Sequence, residues 1–264
     1  MEREVDRSMT TGIPGAPGRW FRGLLMGALP FLLGGAGTAA PGASWEGRYA
    51  MEMRIGTVTR VPVVGSERSV TRTLLLVDMR RDGARWMQRQ TVCDVRIESP
   101  RMRMTVPAAF VRGLPPREYT GVVQGPADRA TYTADLGEEA IGYDPAVTGG
   151  ALPRDGSARG VVDNDGDGRP GATVIGHFPL FGRVRLFIAQ RSHLVLHGRQ
   201  TAADRIEGSL EIRTMEQRTL GADNRFFRRT LPMQADAATS GFVMVRTAAT
   251  DCAGVRRDSG SLFR

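Results

Sequence analysis

An acidic, glycine-punctuated loop is the part of this sequence whose residue types and spacing indicate a chemistry. Asp163, Asp165 and Asp167 occupy alternate positions. Gly166 lies between the second and third aspartates, and Gly168 follows the third. Carboxylate oxygens are the ligands that a hard cation such as Ca²⁺ prefers, and glycine permits the positive φ that so tight a loop requires. The spacing therefore predicts a structural Ca²⁺ site that holds together a loop of mutually repelling charges.

The segment 163–170 resembles the calcium loops of FG-GAP integrin-type repeats and, more loosely, those of thrombospondin type 3 repeats and EF-hands. The resemblance implies four metal ligands: the side chains of Asp163, Asp165 and Asp167 and the backbone carbonyl of Arg169. Gly171 and Val174 stand where those families place their ninth- and twelfth-position ligands. Water or a preceding carboxylate would therefore have to complete the shell. The candidates are Asp135, Glu138, Glu139, Asp144 and Asp155.

Two other interpretations of the acidic loop stay open. Aspartate side chains also accept hydrogen bonds from the backbone two residues onward, so the cluster could be a metal-free group of Asx turns. The same carboxylates could instead act as general acid and base.

The two cysteines of the chain are Cys93 and Cys252. In an oxidising compartment they predict a single disulfide, and two buried free thiols are the alternative. Neither belongs to a C-x-x-C pair, and neither lies beside a histidine, so the sequence offers no support for redox or nucleophilic cysteine chemistry.

The three histidines, His177, His193 and His197, lie in one stretch of strand-like sequence. On a strand, side chains four residues apart share a face but are separated by about 13 Å, which is too far to share one ion. We therefore expect ordinary strand residues. The sequence also lacks the nucleophile elbow, the zinc-protease motif and the phosphate-binding loop, and it favours a non-enzymatic protein.

The N-terminal region has the three-part layout of a secretory signal peptide. Arg19 and Arg22 precede the apolar stretch 23–33, and small residues follow as far as Ala43. The apolar stretch is shorter than the roughly 20 residues of a spanning helix, so no transmembrane span is expected in the mature chain. Residues 1–43 are predicted to be a signal peptide and processing region of a periplasmic, cell-surface or secreted protein.

The basic residues do not indicate a nucleic-acid partner. The chain of 264 residues has a formal net charge of +8, and all 36 basic residues are arginines. They are dispersed, often alternating with apolar residues, whereas a phosphate-tracking groove needs a dense patch.

Alternation of apolar and polar residues predicts strands through most of the remaining chain. The pattern begins at Tyr49–Ile55, whose aromatic residue close to a glycine resembles the opening strand of lipocalin-like barrels. Strands 71–79 and 86–98 flank an Asp-Gly turn and predict a hairpin, with Met87, Cys93, Val95 and Ile97 on one face. Further strands are predicted at 102–106, 172–176, 183–190, 192–198, 205–214 and 241–247. We predict an all-β fold, a single antiparallel β-barrel or β-sandwich domain over residues 44–252.

Two segments are predicted to be irregular. Residues 113–171 are rich in proline, glycine and acidic residues and predict a loop-rich insertion. Residues 253–264 predict a flexible tail. One or two helical turns are possible at 107–111 or 215–223.

These features favour a non-enzymatic ligand-binding or envelope-associated protein, with its site at the barrel mouth and residues 113–171. The partner is an unidentified small molecule or envelope component. The alternative is a secreted hydrolase that uses loop carboxylates on a polysaccharide or an ester. An apolar interior favours binding, whereas two carboxyl groups about 5–10 Å apart across a cleft favour hydrolysis.

Overall fold

A computed structural model describes residues 45–61, 65–126, 129–178 and 180–264. The predicted signal peptide and processing region, residues 1–43, lies outside the described residues. The strands are Gly47–Val61 (β1), Gly65–Asp82 (β2), Arg85–Glu98 (β3), Arg103–Thr105 (β4), Arg117–Gln124 (β5), Thr131–Ile141 (β6), Ala172–Phe178 (β7), Gly182–Ala202 (β8), Arg205–Ala222 (β9) and Met233–Arg246 (β10). The helices are Ala108–Gly113 (α1), Pro145–Thr148 (α2) and Cys252–Leu262 (α3), with one 3-10 turn at Arg225–Phe227.

The ten strands form one antiparallel sheet that closes on itself, which confirms the all-β prediction. Going round the ring, the order is β8-β6-β5-β3-β2-β1-β10-β9, and pairing of β9 with β8 completes it. The ring is not a regular barrel, because β8 changes partner along its length. Residues 190–199 of β8 pair with β6, whereas residues 182–188 pair with β7, which in turn pairs with β4.

The predicted β2–β3 hairpin is present, but the prediction that Met87, Cys93, Val95 and Ile97 share one face is wrong. Leu75 pairs with Val92, whereas Leu74 pairs with Asp94, so a β-bulge falls at Cys93. A bulge adds one residue and reverses the alternation beyond it. Cys93 consequently turns to the outer face, while Val95 and Ile97 point into the ring.

The C-terminal segment is a helix, which corrects the prediction of a flexible tail. The Asp251 side chain caps α3 by accepting a hydrogen bond from the Gly254 N–H. Val255 packs on the outside of the sheet against Leu74 and Leu76. The predicted disulfide joins Cys93 to Cys252 at the start of this helix. The glycines and serines of the segment give it little intrinsic helix propensity, so tertiary packing and the covalent link decide its conformation.

Residues 113–171 are less irregular than predicted. Both β5 and β6 lie in this region and form part of the ring. Its prolines and glycines mark the turns between elements, which obscured two short strands in the sequence pattern. The helical turn predicted as possible at 215–223 is absent, because residues 215–222 belong to β9, whereas α1 overlaps the one at 107–111.

A packed apolar core fills one half of the ring. Trp45 stacks on Tyr132 with ring centroids 6.0 Å apart, and Phe242 meets the same tyrosine edge-on at 6.4 Å. Met51 and Leu196 are fully buried among them. Within the described residues, no helix is both long and apolar enough to cross a membrane. The opposite half of the ring is where the interior space lies.

Candidate functional site

The ring encloses a cavity of about 300 Å³. Inward positions of β1 illustrate how it arises: Met51 is fully buried, whereas Met53 and Ile55 on the same face are only partly buried because they border empty space. The lining is mainly apolar and draws on most of the strands. Representative lining residues are Val92, Ile97, Met104, Leu136, Ile188, Leu194 and Met215.

Helix α1 and strand β4 close the cavity where neighbouring ring strands diverge. Strand β3 pairs with β5 between Trp86 and Gln90, and among the described residues no strand pairs with its second half on that side. Phe110 of α1 covers this part of the wall, where it packs with Val174 and Ile188. The large aromatic side chain of this two-turn helix thus closes the wall where β3 and β5 are not paired.

A charged group faces into the mainly apolar cavity. Arg117 and Tyr119 of β5 both approach Oε1 of Glu139 on β6. The Arg117 guanidinium lies 3.2 Å from that oxygen, and the Tyr119 hydroxyl donates a hydrogen bond to it. Burial, followed by the charge of Glu139, raises the pKa of Tyr119, so its phenol stays protonated and remains a donor. The ion pair has no net charge, and a guanidinium carries five N–H donors in all.

A second carboxylate in the cavity wall has a structural role. Glu67 is almost fully buried and accepts hydrogen bonds from the Ser99 hydroxyl and from the Arg101 N–H, at 3.1 Å for the latter. It thereby ties the start of β2 to the segment that follows β3. Hydroxyl-bearing side chains on the inner faces of β1 and β2 add to the polar part of the lining, among them Thr57, Thr59, Ser69, Thr71 and Thr73.

The acidic loop folds around the first of its aspartates. One oxygen of Asp163 accepts hydrogen bonds from the N–H groups of Asp165, Gly166 and Asp167, and the other accepts from Gly168 at 2.8 Å. Gly166 and Gly168 have φ of +67° and +76°, as their positions predicted. Desolvation of Asp163 is outweighed by the hydrogen bonds from Gly168 and Gly166, which lower its pKa.

The other two aspartates of the loop point toward the start of β7. Asp165 accepts from the Thr173 N–H and Asp167 from the Thr173 hydroxyl, each at 3.0 Å. The second oxygen of Asp165 is buried and has no hydrogen-bond partner. Burial, and then the nearby charge of Asp167, raise the pKa of Asp165. Because Thr173 also lines the cavity, this threonine connects the acidic loop to the cavity wall.

The loop is anchored to three neighbouring elements. The Asn164 side chain accepts from the Gly142 N–H just after β6, and the Asn164 N–H donates to the Gly171 carbonyl just before β7. A Cβ on Gly113, at the end of α1, would collide with the Asn164 carbonyl oxygen. The acidic loop therefore contacts the end of α1, the end of β6 and the start of β7, and a change in its conformation would affect how these three elements pack.

The predicted ligands meet the first requirement of a cation site. Asp163, Asp165 and Asp167 each offer an oxygen within 4.8 Å of the others, and the unpartnered oxygen of Asp165 suits a cation. Arg169 lies in the same loop, where its N–H donates to Asp167 and its guanidinium lies over the Phe187 ring. Such a carboxylate cluster fits Ca²⁺ better than a metal that demands nitrogen or sulfur ligands.

The acidic residues that precede the loop are engaged elsewhere. Asp144 caps α2 by accepting from the Ala146 N–H, and Asp155 accepts from the N–H and hydroxyl of Ser157. Glu139 faces the cavity. Asp135 pairs with His193 and Arg213. Among the described residues, the candidate metal cluster contains Asp163, Asp165 and Asp167 and none of the five preceding carboxylates, Glu138 included. Completion of a metal shell would therefore depend on water.

The two spaced histidines have separate partners on the outer surface of the sheet. His193 lies 2.7 Å from Asp135, and His197 lies 2.9 Å from Glu211. Arg213 contacts both carboxylates and links the two pairs. Hydrogen bonds from Arg213 and then His197 lower the pKa of Glu211. His193 and His197 therefore belong to an exposed network of hydrogen bonds and ion pairs centred on Arg213.

Sequence reasoning missed the charged group in the cavity. Arg117 and Tyr119 alternate as strand residues do, but their neighbourhood of prolines obscured the pattern. Of the adjacent carboxylates Glu138 and Glu139, Glu139 lines the cavity and Glu138 does not, since successive side chains of a strand point to opposite faces.

No protein-family model, curated protein or solved structure matches this chain. The cavity and the acidic loop therefore carry the functional argument.

Proposed function

We propose that this protein is a non-enzymatic binding protein that holds one small, largely apolar molecule inside its ring of strands. The observation that carries the proposal is the cavity of about 300 Å³ with its mainly apolar lining. Ligand pockets in proteins start at about this size and combine apolar walls with a few polar groups. Inward residues such as Met53 and Ile55 would lose their remaining exposure on contact with the ligand.

The charged group in the cavity suggests the chemistry of the ligand's polar end. Arg117 and Glu139 together are neutral, so a charged end of the ligand placed at this pair would be attracted by one and repelled by the other. A hydroxyl group can donate to the second oxygen of Glu139 and accept from Arg117. We infer an apolar chain or ring system that ends in a hydroxyl or a similar neutral group.

The engagement of the cavity carboxylates favours this function over the hydrolase alternative. Glu67 and Glu139 are already bound by neighbouring donors, and the clustered aspartates lie in the loop that precedes β7. A general acid and base in a glycosidase instead face each other across the substrate.

We further propose that the acidic loop binds Ca²⁺ and that the protein is exported. The cation would be held by Asp163, Asp165, Asp167 and the carbonyl of Arg169, and it would neutralise charges that otherwise repel within the loop. Export is supported by the disulfide, because such bonds persist in oxidising compartments.

A series of straight-chain alcohols tests the ligand proposal. We expect each added CH₂ group to lower the free energy of binding by about 0.8 kcal/mol, or roughly fourfold in Kd, until the chain fills the cavity. Isothermal titration calorimetry from hexanol to dodecanol would reveal this slope and its plateau. Affinity that does not depend on chain length would contradict an enclosed apolar site.

Thermal unfolding with and without Ca²⁺ tests the metal proposal. For a Kd of about 10⁻⁴ to 10⁻³ M, 10 mM Ca²⁺ (on the order of 10–100 times Kd) is expected to stabilise the fold by roughly 1.4–2.7 kcal/mol. The melting temperature should then rise by roughly 3–10 °C. Asp165→Asn should abolish the rise, whereas Asp155→Asn, which alters an acidic turn outside the cluster, should retain it. An equal rise in both variants, or none in the wild type, would rule out this site.

A further inference from the structure

Three large apolar side chains project into solvent at one end of the ring. Leu180 is 91% exposed, Phe226 63% and Phe181 38%. Leu180 and Phe181 belong to the tip between β7 and β8, and Phe226 belongs to the 3-10 turn that follows β9. We call these three residues the apolar tip. Their exposure is costly in water, and a cluster of this kind on a soluble surface indicates an interaction site.

The apolar tip is continuous with the lining of the cavity. Phe181 lies 5.7 Å from Phe226 and 5.2 Å from Phe227, measured between ring centroids. Phe227 in turn packs on Phe178 at 4.2 Å, and both of these rings line the cavity. An unbroken row of aromatic rings therefore runs from the exposed surface to the interior.

The backbone at Leu180 is strained for its residue type. Its φ is +70°, a region that glycine and asparagine tolerate and that leucine rarely adopts. It is the one non-glycine residue in that region among those the structure describes. A leucine that is both strained and exposed adds nothing to folding stability. Strain of this kind is found where a side chain serves a contact.

The charges around the apolar tip are predominantly positive. The adjoining segments 180–185 and 223–229 contain five arginines and one aspartate. The aspartate, Asp223, is already paired with Arg185 at 3.2 Å. Arg225 lies over the Phe226 ring, and Arg229 borders the cavity. A cluster of apolar side chains within a basic surrounding is complementary to an anionic lipid headgroup layer above an acyl region.

We propose that the apolar tip docks on membranes that contain anionic phospholipids. Leu180, Phe181 and Phe226 enter the boundary between headgroups and acyl chains, while the arginines remain at the level of the phosphates. Docking would place the cavity end of the ring against the bilayer. The ligand would then be exchanged with the membrane, a consequence that rests on the proposed function, whereas docking itself does not require an occupied cavity.

Vesicle flotation with the full chain tests the proposal. Vesicles of phosphatidylglycerol and phosphatidylcholine in equal parts are compared with vesicles of phosphatidylcholine alone. We expect binding to the anionic vesicles to be at least about tenfold stronger, and we expect Leu180→Asn and Phe226→Ser each to reduce it by at least about tenfold, as the loss of one buried apolar side chain implies. The matched control is Val122→Ser, which removes an apolar side chain that is 40% exposed on β5. The apolar stretch 23–33 is present in every variant and cannot account for a difference between them.

Thermal melting separates loss of docking from loss of folding. Asparagine suits the backbone at position 180, so Leu180→Asn should melt at or above the wild-type temperature.

Arg225→Gln with Arg229→Gln should weaken binding to anionic vesicles, whereas Arg80→Gln with Arg89→Gln, at the other end of the ring, should not. Binding unchanged by the tip variants, or equal on both kinds of vesicle, would overturn the proposal. A wild-type protein that is a dimer without vesicles and becomes a monomer on Leu180→Asn would also overturn it, because the apolar tip would then contact a second copy of the chain. Alcohol binding without vesicle binding would refute docking alone.

Discussion

Removal of the disulfide by the double substitution Cys93→Ser and Cys252→Ser is expected to lower the free energy of unfolding by about 4–5 kcal/mol. The bond closes a loop with a sequence separation of 159 residues, and cross-links over long loops restrict the unfolded chain most strongly. Chemical denaturation of the wild type and the double variant measures the difference.

The loss should be greatest at α3, because the disulfide attaches this helix to β3. The helix contributes Val255 to a small cluster on the outer face of the sheet, and Arg256 donates to the Cys93 carbonyl at 2.9 Å. Without the covalent link we expect trypsin to cleave first at Arg256 and Arg257. Reducing agent should make the wild type behave like the double variant and should leave the double variant unchanged. Equal stability in the presence and absence of reductant would contradict this account.

Partly filling the cavity is expected to weaken the binding of long-chain ligands without loss of folding. Thr71 lies on the inner face of β2 and borders the cavity, and Thr71→Trp would place an aromatic ring in the space that the ligand occupies. Tryptophan suits a strand, and burial of its ring should offset the loss of the threonine. Each CH₂ group of the ligand that no longer fits costs about 0.8 kcal/mol, so two such groups weaken binding roughly fifteenfold.

The adjacent residue provides the matched control for this substitution. Val70 precedes Thr71 on the same strand and therefore faces the opposite side of the sheet. Val70→Trp adds the same ring to the outer surface and should leave the affinity for alcohols unchanged. The chain length beyond which affinity no longer rises should also be unchanged. In Thr71→Trp that chain length should move to shorter alcohols. Equal weakening in both variants would point to a general effect on the fold.

The all-β class and the disulfide follow from the sequence because their signals are local or compositional. Alternation at residues 49–55 marks β1, and Asp82-Gly83 marks the β2–β3 hairpin. A bulge at Cys93 is different, because one extra residue reverses the faces beyond it without changing the composition. The sequence pattern also does not predict the helical C-terminus. Its conformation depends on a cap and on contacts with β1 to β3 rather than on propensity.

The two candidate sites differ in how far the sequence could predict them. The acidic loop is contiguous, so the proximity of Asp163, Asp165 and Asp167 was predictable from spacing alone. The cavity is built from inward positions on most of the strands, together with Phe110 of α1. The cavity exists because these side chains together leave part of the ring unfilled, and no local sequence pattern reveals that. The pairing of Arg117 with Glu139 likewise depends on the neighbouring positions of β5 and β6.

Titration of the protein with phenylnaphthylamine, a neutral fluorescent probe of apolar sites, tests the central claim most directly. We expect enhanced, blue-shifted emission that saturates at one probe per chain and is displaced by a long-chain alcohol. Val70→Trp should give the same isotherm, and Thr71→Trp should lose the saturable signal while its melting temperature stays near that of the wild type. A saturable signal of equal strength in Thr71→Trp would contradict a binding site inside the ring.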